Sequence, residues 1–175
     1  MILTGSEIKK QVQANRIHIY PFIEKNINPN SYNYRLHEDL LELLDDPIDP
    51  KVEPKVNKIK ISDQGYTLEP GKLYLGSTIE EIGSDHYVTS LIGHSSIGRL
   101  GLFLQITADL GHLGAKHRWT LELTVVQPLI IYPMMKIGQV SFWSVEGNQD
   151  KLYKGKYDQY SEAHCSKLYQ EFIKR

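Results

Sequence analysis

The chain holds one cysteine, Cys165, in 175 residues, which excludes an internal disulfide and suits a reducing compartment. Its formal net charge is only −1, so no global field favours nucleic acid or an anionic membrane surface, and neither partner is expected. Long apolar runs are missing too. Stretches such as "PLIIYPMM" fall far short of the ~20 residues a membrane-spanning helix requires. The opening "MILTGSEIKK" lacks the extended apolar segment of a secretory signal, and a cytoplasmic location is expected. There is no C-x-x-C pair and no histidine–glutamate motif followed by paired cysteines, so a protein-bound zinc is not expected. No G-x-S-x-G elbow is found, nor either of the familiar glycine-rich phosphate loops.

What is present fits one globular domain spanning 1–175, long enough to bury a sizeable core. "TGSEIKKQVQANRI" reads as a short amphipathic helix with Thr4 or Ser6 as its N-cap. "LHEDLLELLDD" satisfies both a helical and a strand pattern. From Pro47 to Lys58, "PIDPKVEPKVNK" carries three prolines among charges and predicts an exposed loop. Beyond it the character changes. "GYTLEPGKLYLGSTIEEIG", "HYVTSLIG", "LGLFLQITADL", "RWTLELTVV" and "KIGQVSFWSV" follow at short intervals with glycine or proline between most of them. That spacing predicts a mainly β fold, a sandwich, jelly roll or barrel with a few short helices. The tail from Asn148 to Arg175 is polar, with a helical pattern at "CSKLYQEFIKR".

Two segments combine polar chemistry with apolar surroundings. "GHSSIGRLGL" sets Ser95, Ser96 and Arg99 inside an apolar run, and in "RWTLEL" Glu122 lies between Leu121 and Leu123. On a strand, Glu122 faces away from those leucines. A carboxylate in a confined site resists ionisation, which suits general acid–base work near neutral pH. The same spacing equally suits a solvent-facing carboxylate, or one paired with Arg99 or Arg118.

The ordered set "NPNSYNYRL", "GHSSIGRLGL", "QITADLGHLGAKHRWTLEL", "YPMMKIGQVSFW", "YKGKYDQY" and "CSKLY" resembles the metal-independent dCTP deaminase family, relatives of the trimeric dUTPases. The likeness covers most of the chain and is weakest between about Leu40 and Lys60. It implies a distorted jelly-roll or β-barrel subunit of the dUTPase type, a homotrimer with active sites at subunit interfaces, and a tail (about 148–175) that closes over the site. By position, Glu122 becomes the general base that activates water for attack on cytosine C4. Ser95 and the Ala108 backbone position that water, and Arg99 supports the charged intermediate. His94, Ser96, Gln105, Thr107, Asp109, His112, Tyr153, Lys156, Tyr157 and Gln159 make up the implied substrate-binding set. Magnesium is expected to enter with the nucleotide triphosphate rather than through a protein cage.

The chain also departs from the family pattern. His94 stands where arginine or lysine is usual, Gln105 where histidine is usual, and Asn33 in place of an aspartate. In the hairpin, His112 replaces an aspartate, Ala115 an aromatic and His117 a glycine, while Tyr160 takes the place of the second tail glutamine. The expected activity is hydrolytic deamination of dCTP to dUTP and ammonia. Alternatives are a deaminase of dCMP or of a 5-modified deoxycytidine nucleotide, and a nucleotide-binding regulatory trimer whose catalysis has drifted. With His112 in place of the carboxylate that orients the sugar and, in dUTPases, the attacking water, the expected product is dUTP without onward conversion to dUMP. A shifted register would instead let Asp109 supply that carboxylate.

Overall fold

The computed structural model describes residues 1–104, 107–155, 157 and 161–173. The first helix, α1 (Gly5–Gln13), forms where Thr4 accepts a hydrogen bond from the Glu7 amide at 3.4 Å, and it buries Ile8 and Gln11. After it come β1 (His18–Tyr20), a single 3-10 turn (Glu24–Asn26), β2 (Tyr32–Arg35) and β3 (Asp39–Leu43). The ambiguous "LHEDLLELLDD" is therefore strand, because its alternate residues Leu40 and Glu42 are buried while β3 pairs with a neighbour on each side.

One neighbour is β4 (Val56–Lys60), which begins inside the segment expected to be loop. Prolines 47, 50 and 54 keep that segment irregular only up to Lys55, since Val56 onward bears amides free to join a ladder. The chain continues through β5 (Tyr66–Leu68), β6 (Tyr74–Gly83), β7 (Tyr87–Gly93), α2 (Ser95–Gly98), β8 (Leu102–Leu104) and β9 (Leu110–Gly111). Next are β10 (Lys116–Val125), β11 (Leu129–Ile131) and β12 (Lys136–Ser144), and among the described tail residues only α3 (Tyr169–Ile173) is helical.

All the strand pairings are antiparallel. One sheet runs β4-β3-β6-β10-β8 with β1 also on β6, a second runs β2-β12-β7-β9, and β11 pairs with β5. A single core joins the two larger sheets, drawing Leu40, Tyr74, Ile82, Leu121 and Leu123 from one and Tyr34, Leu91, Val140 and Phe142 from the other. One buried carboxylate inside it is fully engaged. Glu80 is fully buried, and its carboxylate accepts from the Arg35 amide at 2.9 Å and from Arg35 Nε at 2.7 Å, tying β6 to β2 across the sheets. Among the described residues no helix is long and apolar enough to cross a membrane.

Candidate active site

Strand β10 alternates as its sequence demands. Leu121, Leu123 and Val125 enter the core, which turns Glu122 to the opposite face. There it lines a cavity of about 460 Å³ whose other walls come from the β9 hairpin and the tail. The hairpin contributes Ala108, Leu110 and His112; the tail contributes Tyr153, Tyr157, Glu162, His164, Cys165 and Ser166.

Contacts between hairpin and tail explain how the third wall is held. The Tyr153 amide donates to the Leu113 carbonyl at 2.7 Å, and the Tyr153 ring stacks on His112 with centroids 5.6 Å apart. Gly114 makes the approach possible. It sits at φ +90°, and a Cβ there would lie 2.8 Å from Leu152 Cβ and 2.9 Å from the Tyr153 nitrogen. Farther along, the His164 amide donates to Thr120 Oγ1 at 3.2 Å, bringing the tail onto the strand that carries Glu122. Burial pushes the His164 imidazole below the ordinary histidine range, opposed by the nearby Glu162 carboxylate.

Of the implied site residues, Glu122, Ala108, His112, Tyr153 and Tyr157 meet in this cavity. Ser95, Ser96 and Arg99 do not line it; all three are exposed on or beside α2. His94 caps that helix, its Nδ1 accepting from the Ser96 amide at 3.3 Å. Thr107 is exposed and outside the lining. Asp109 is turned away from the cavity. Its Oδ2 accepts from Ser90 Oγ at 2.8 Å on β7. Gln105, Lys156, Gln159 and Tyr160 lie outside the described residues.

Arg118, Thr120, Glu162, His164 and Cys165 line the cavity without having been assigned roles from sequence. Period-two alternation back from Glu122 was the available signal for Thr120 and Arg118. The tail residues had none, because only the folded chain brings them onto β10. Trp119 is fixed beside them by hydrogen bonds from its indole to the Ile82 carbonyl and from its amide to Thr78 Oγ1, both 2.9 Å. Among the described residues no group of three or more histidine, cysteine or acidic side chains gathers as a metal cage.

The β-rich fold thus carries a strand carboxylate on the wall of a half-open cavity that the hairpin and the tail also line. The family comparison makes the class specific. Residues 2–145 match the dCTP deaminase-like family model, and the chain belongs to that family. It is 46% identical over 172 residues to a "dCTP deaminase, dUMP-forming" of Hathewaya histolytica, covering 98% of this chain and 99% of the relative. A protein of the same name from Leptospira biflexa is 47% identical over the full length of both chains. Another from Cytophaga hutchinsonii is 42% identical, covering 99% of this chain and 100% of its own.

In fold, the chain is similar to the crystal structure of 2'-deoxycytidine 5'-triphosphate deaminase from Agrobacterium tumefaciens, with a TM-score of 0.64 at 19% identity. That match covers 81% of this chain and 47% of the other, so this chain spans about half the neighbour's length. The relatives' names carry dUMP as the product, which corrects the expectation of dUTP. That expectation rested on one missing carboxylate. A water attacking phosphorus needs a hydrogen-bond acceptor, which an imidazole also provides, and Glu122 and Glu162 line the same cavity.

Proposed function

We propose that this chain deaminates dCTP and carries the product on to dUMP. The observation that supports it most is Glu122, held on a strand and facing a half-open cavity shared by the hairpin and the tail. In the first step a water adds to cytosine C4, giving its proton to Glu122. The carboxylic acid then protonates ring N3, and the proton of the new C4 hydroxyl passes through the same carboxylate to the amino group, which leaves as ammonia as the C4 carbonyl forms. dCTP and one water become dUTP and ammonia. In the second step another water attacks phosphorus and pyrophosphate departs, so dUTP and one water become dUMP and pyrophosphate. Magnesium would arrive on the phosphates. The described residues form no cage for it.

The reading includes a jelly-roll subunit assembled as a homotrimer. Ser95 and Arg99 would position the water and support the charged intermediate, yet both are exposed and outside their own chain's cavity. A neighbouring copy would bring its α2 to complete the site. The surface around α2 supports this, with Ile92 47%, Leu100 49% and Phe103 43% exposed. Retention of Glu122 in the cavity favours an enzyme over a drifted regulatory trimer.

Purified protein given dCTP as the sole nucleotide should release ammonia and pyrophosphate in equal amounts, with dUMP as the final product on chromatography. Accumulation of dUTP without dUMP would reduce the reading to deamination alone. Absence of ammonia with dCTP but its release from dCMP would move the substrate to the monophosphate.

A further inference from the structure

Two basic residues stand near the start of β10, and they are used differently. Lys116 Nζ is paired with Asp85 at 2.7 Å. Arg118, two residues on, lines the cavity, and its guanidinium has no hydrogen bond or ion pair with any described residue; its Nε is fully buried without a partner. A structural partner stands nearby and is not taken. Glu81 is directly opposite Arg118 in the β6–β10 register, but its carboxylate is 3.1 Å from His18 Nε2. The ladder shifts register between Arg118 and Thr120, an irregularity of the kind that re-aims side chains beside active sites.

A half-buried guanidinium with incomplete hydrogen bonding costs stability and returns none to the fold. Such a group fits an anion supplied from outside. Arg118 is also the single permanent cation among the described residues lining the cavity; the remaining ionisable groups there are acids, histidines, tyrosines and Cys165. The acids would repel a polyphosphate. Meanwhile, at the position where the family pattern has a permanent cation, this chain has His94, whose Nδ1 is occupied in capping α2. Glu122 lies four steps along the strand from Arg118, roughly 13 Å of chain. That matches the reach of a nucleotide from its base to its phosphates, with Thr120 between.

We propose that Arg118 is a substrate-binding residue that holds the phosphate chain of the nucleotide beyond its first phosphate, making the cavity selective for di- and triphosphates. This rests on the deaminase reading for the nature of the ligand. A guanidinium suits the role because its planar fork can engage two phosphate oxygens at once.

The test is calorimetric binding of deoxycytidine, dCMP, dCDP and dCTP to the full chain and to Arg118→Gln and Arg118→Lys, at low and high salt, with ammonia release followed in parallel. Arg118→Gln should weaken dCTP and dCDP by ~10–100-fold, the loss of a charge-assisted contact. Deoxycytidine and dCMP should change less than about threefold, and Arg118→Lys should recover part of the loss. Salt should weaken dCTP binding less in Arg118→Gln than in the parent. Equal losses across all four ligands, or unchanged dCTP affinity, would overturn the proposal. If Arg118→Gln fails to fold, the lysine variant decides by the same comparison of ligands. A parent that binds dCTP through Arg118 yet releases no ammonia would overturn the deaminase reading and leave this inference standing.

Discussion

Two sets of arginine and glutamate sit on adjoining parts of one sheet system, and the protein treats them oppositely. Arg35 and Glu80 are closed on each other, Glu80 fully buried and accepting from both the Arg35 amide and its Nε. Arg118 and Glu122 share a strand and a cavity, but no ion pair joins them. The contrast separates structural charge from functional charge. Where the protein completes a buried ion's hydrogen bonds, the group serves the fold; where it leaves a cation incomplete on a cavity wall, the group awaits a ligand.

The sharpest way to break the comparison is Glu80→Ala. It leaves the Arg35 guanidinium buried and uncompensated, and such a loss costs ~3–5 kcal/mol, a large share of a domain's total stability. Urea unfolding should show the variant unfolded or close to it at ambient temperature. Arg118→Gln in the same assay should stay within about 1 kcal/mol of the parent or gain stability, since it removes a group the fold does not satisfy. Similar destabilisation by both substitutions would erase the distinction.

Next in size is Glu122→Gln. The amide keeps the shape of the side chain but cannot take a proton from water, and losing a general base costs ~10²–10⁴-fold in rate. Ammonia release should fall by that factor while dCTP still binds and urea unfolding is unchanged. Near-normal turnover would place Glu122 with the structural glutamates.

How far these differences could be read from sequence depends on the range of the contact. Thr4 announced α1, and the alternation in "TLEL" oriented Glu122, because capping and strand pleat are local. β3 was undecidable in "LHEDLLELLDD", since only its ladders with β4 and β6 favour one period over the other. The placement of Asp109 outside this chain's cavity follows from a single long-range contact, its hydrogen bond to Ser90. Ser95 and Arg99 were legible as a motif, but one chain does not carry them into its own cavity. Arg118 was visible only as a possible partner for Glu122; its significance lies in the pairing that does not occur, which no sequence pattern encodes. The expected product differs from the one the relatives' names carry, because one position, His112, was made to stand for a whole site.

The smallest expected effect compares strand β10 with the tail that contacts it. His164 is the tail residue whose amide reaches Thr120 on β10, and burial holds its imidazole below the ordinary histidine range. A histidine depressed in this way is docked as the neutral form. Its contribution is intact above the ordinary histidine value and is lost as pH falls toward the lower, docked-state value, because the released tail binds the proton more readily. Glu162, which favours the charged form, limits the size of the change. Hydrogen exchange at the His164 amide, corrected for its intrinsic pH dependence, should therefore quicken a few-fold between about pH 7.5 and pH 5.5. The β10 amides of Leu121 and Leu123 should keep their protection across that range. His164→Gln should flatten the response of the tail without touching the strand. Equal protection at both pH values, or a pH response that survives in His164→Gln, would show that the tail is held by the Tyr153–His112 stack and not by a neutral His164.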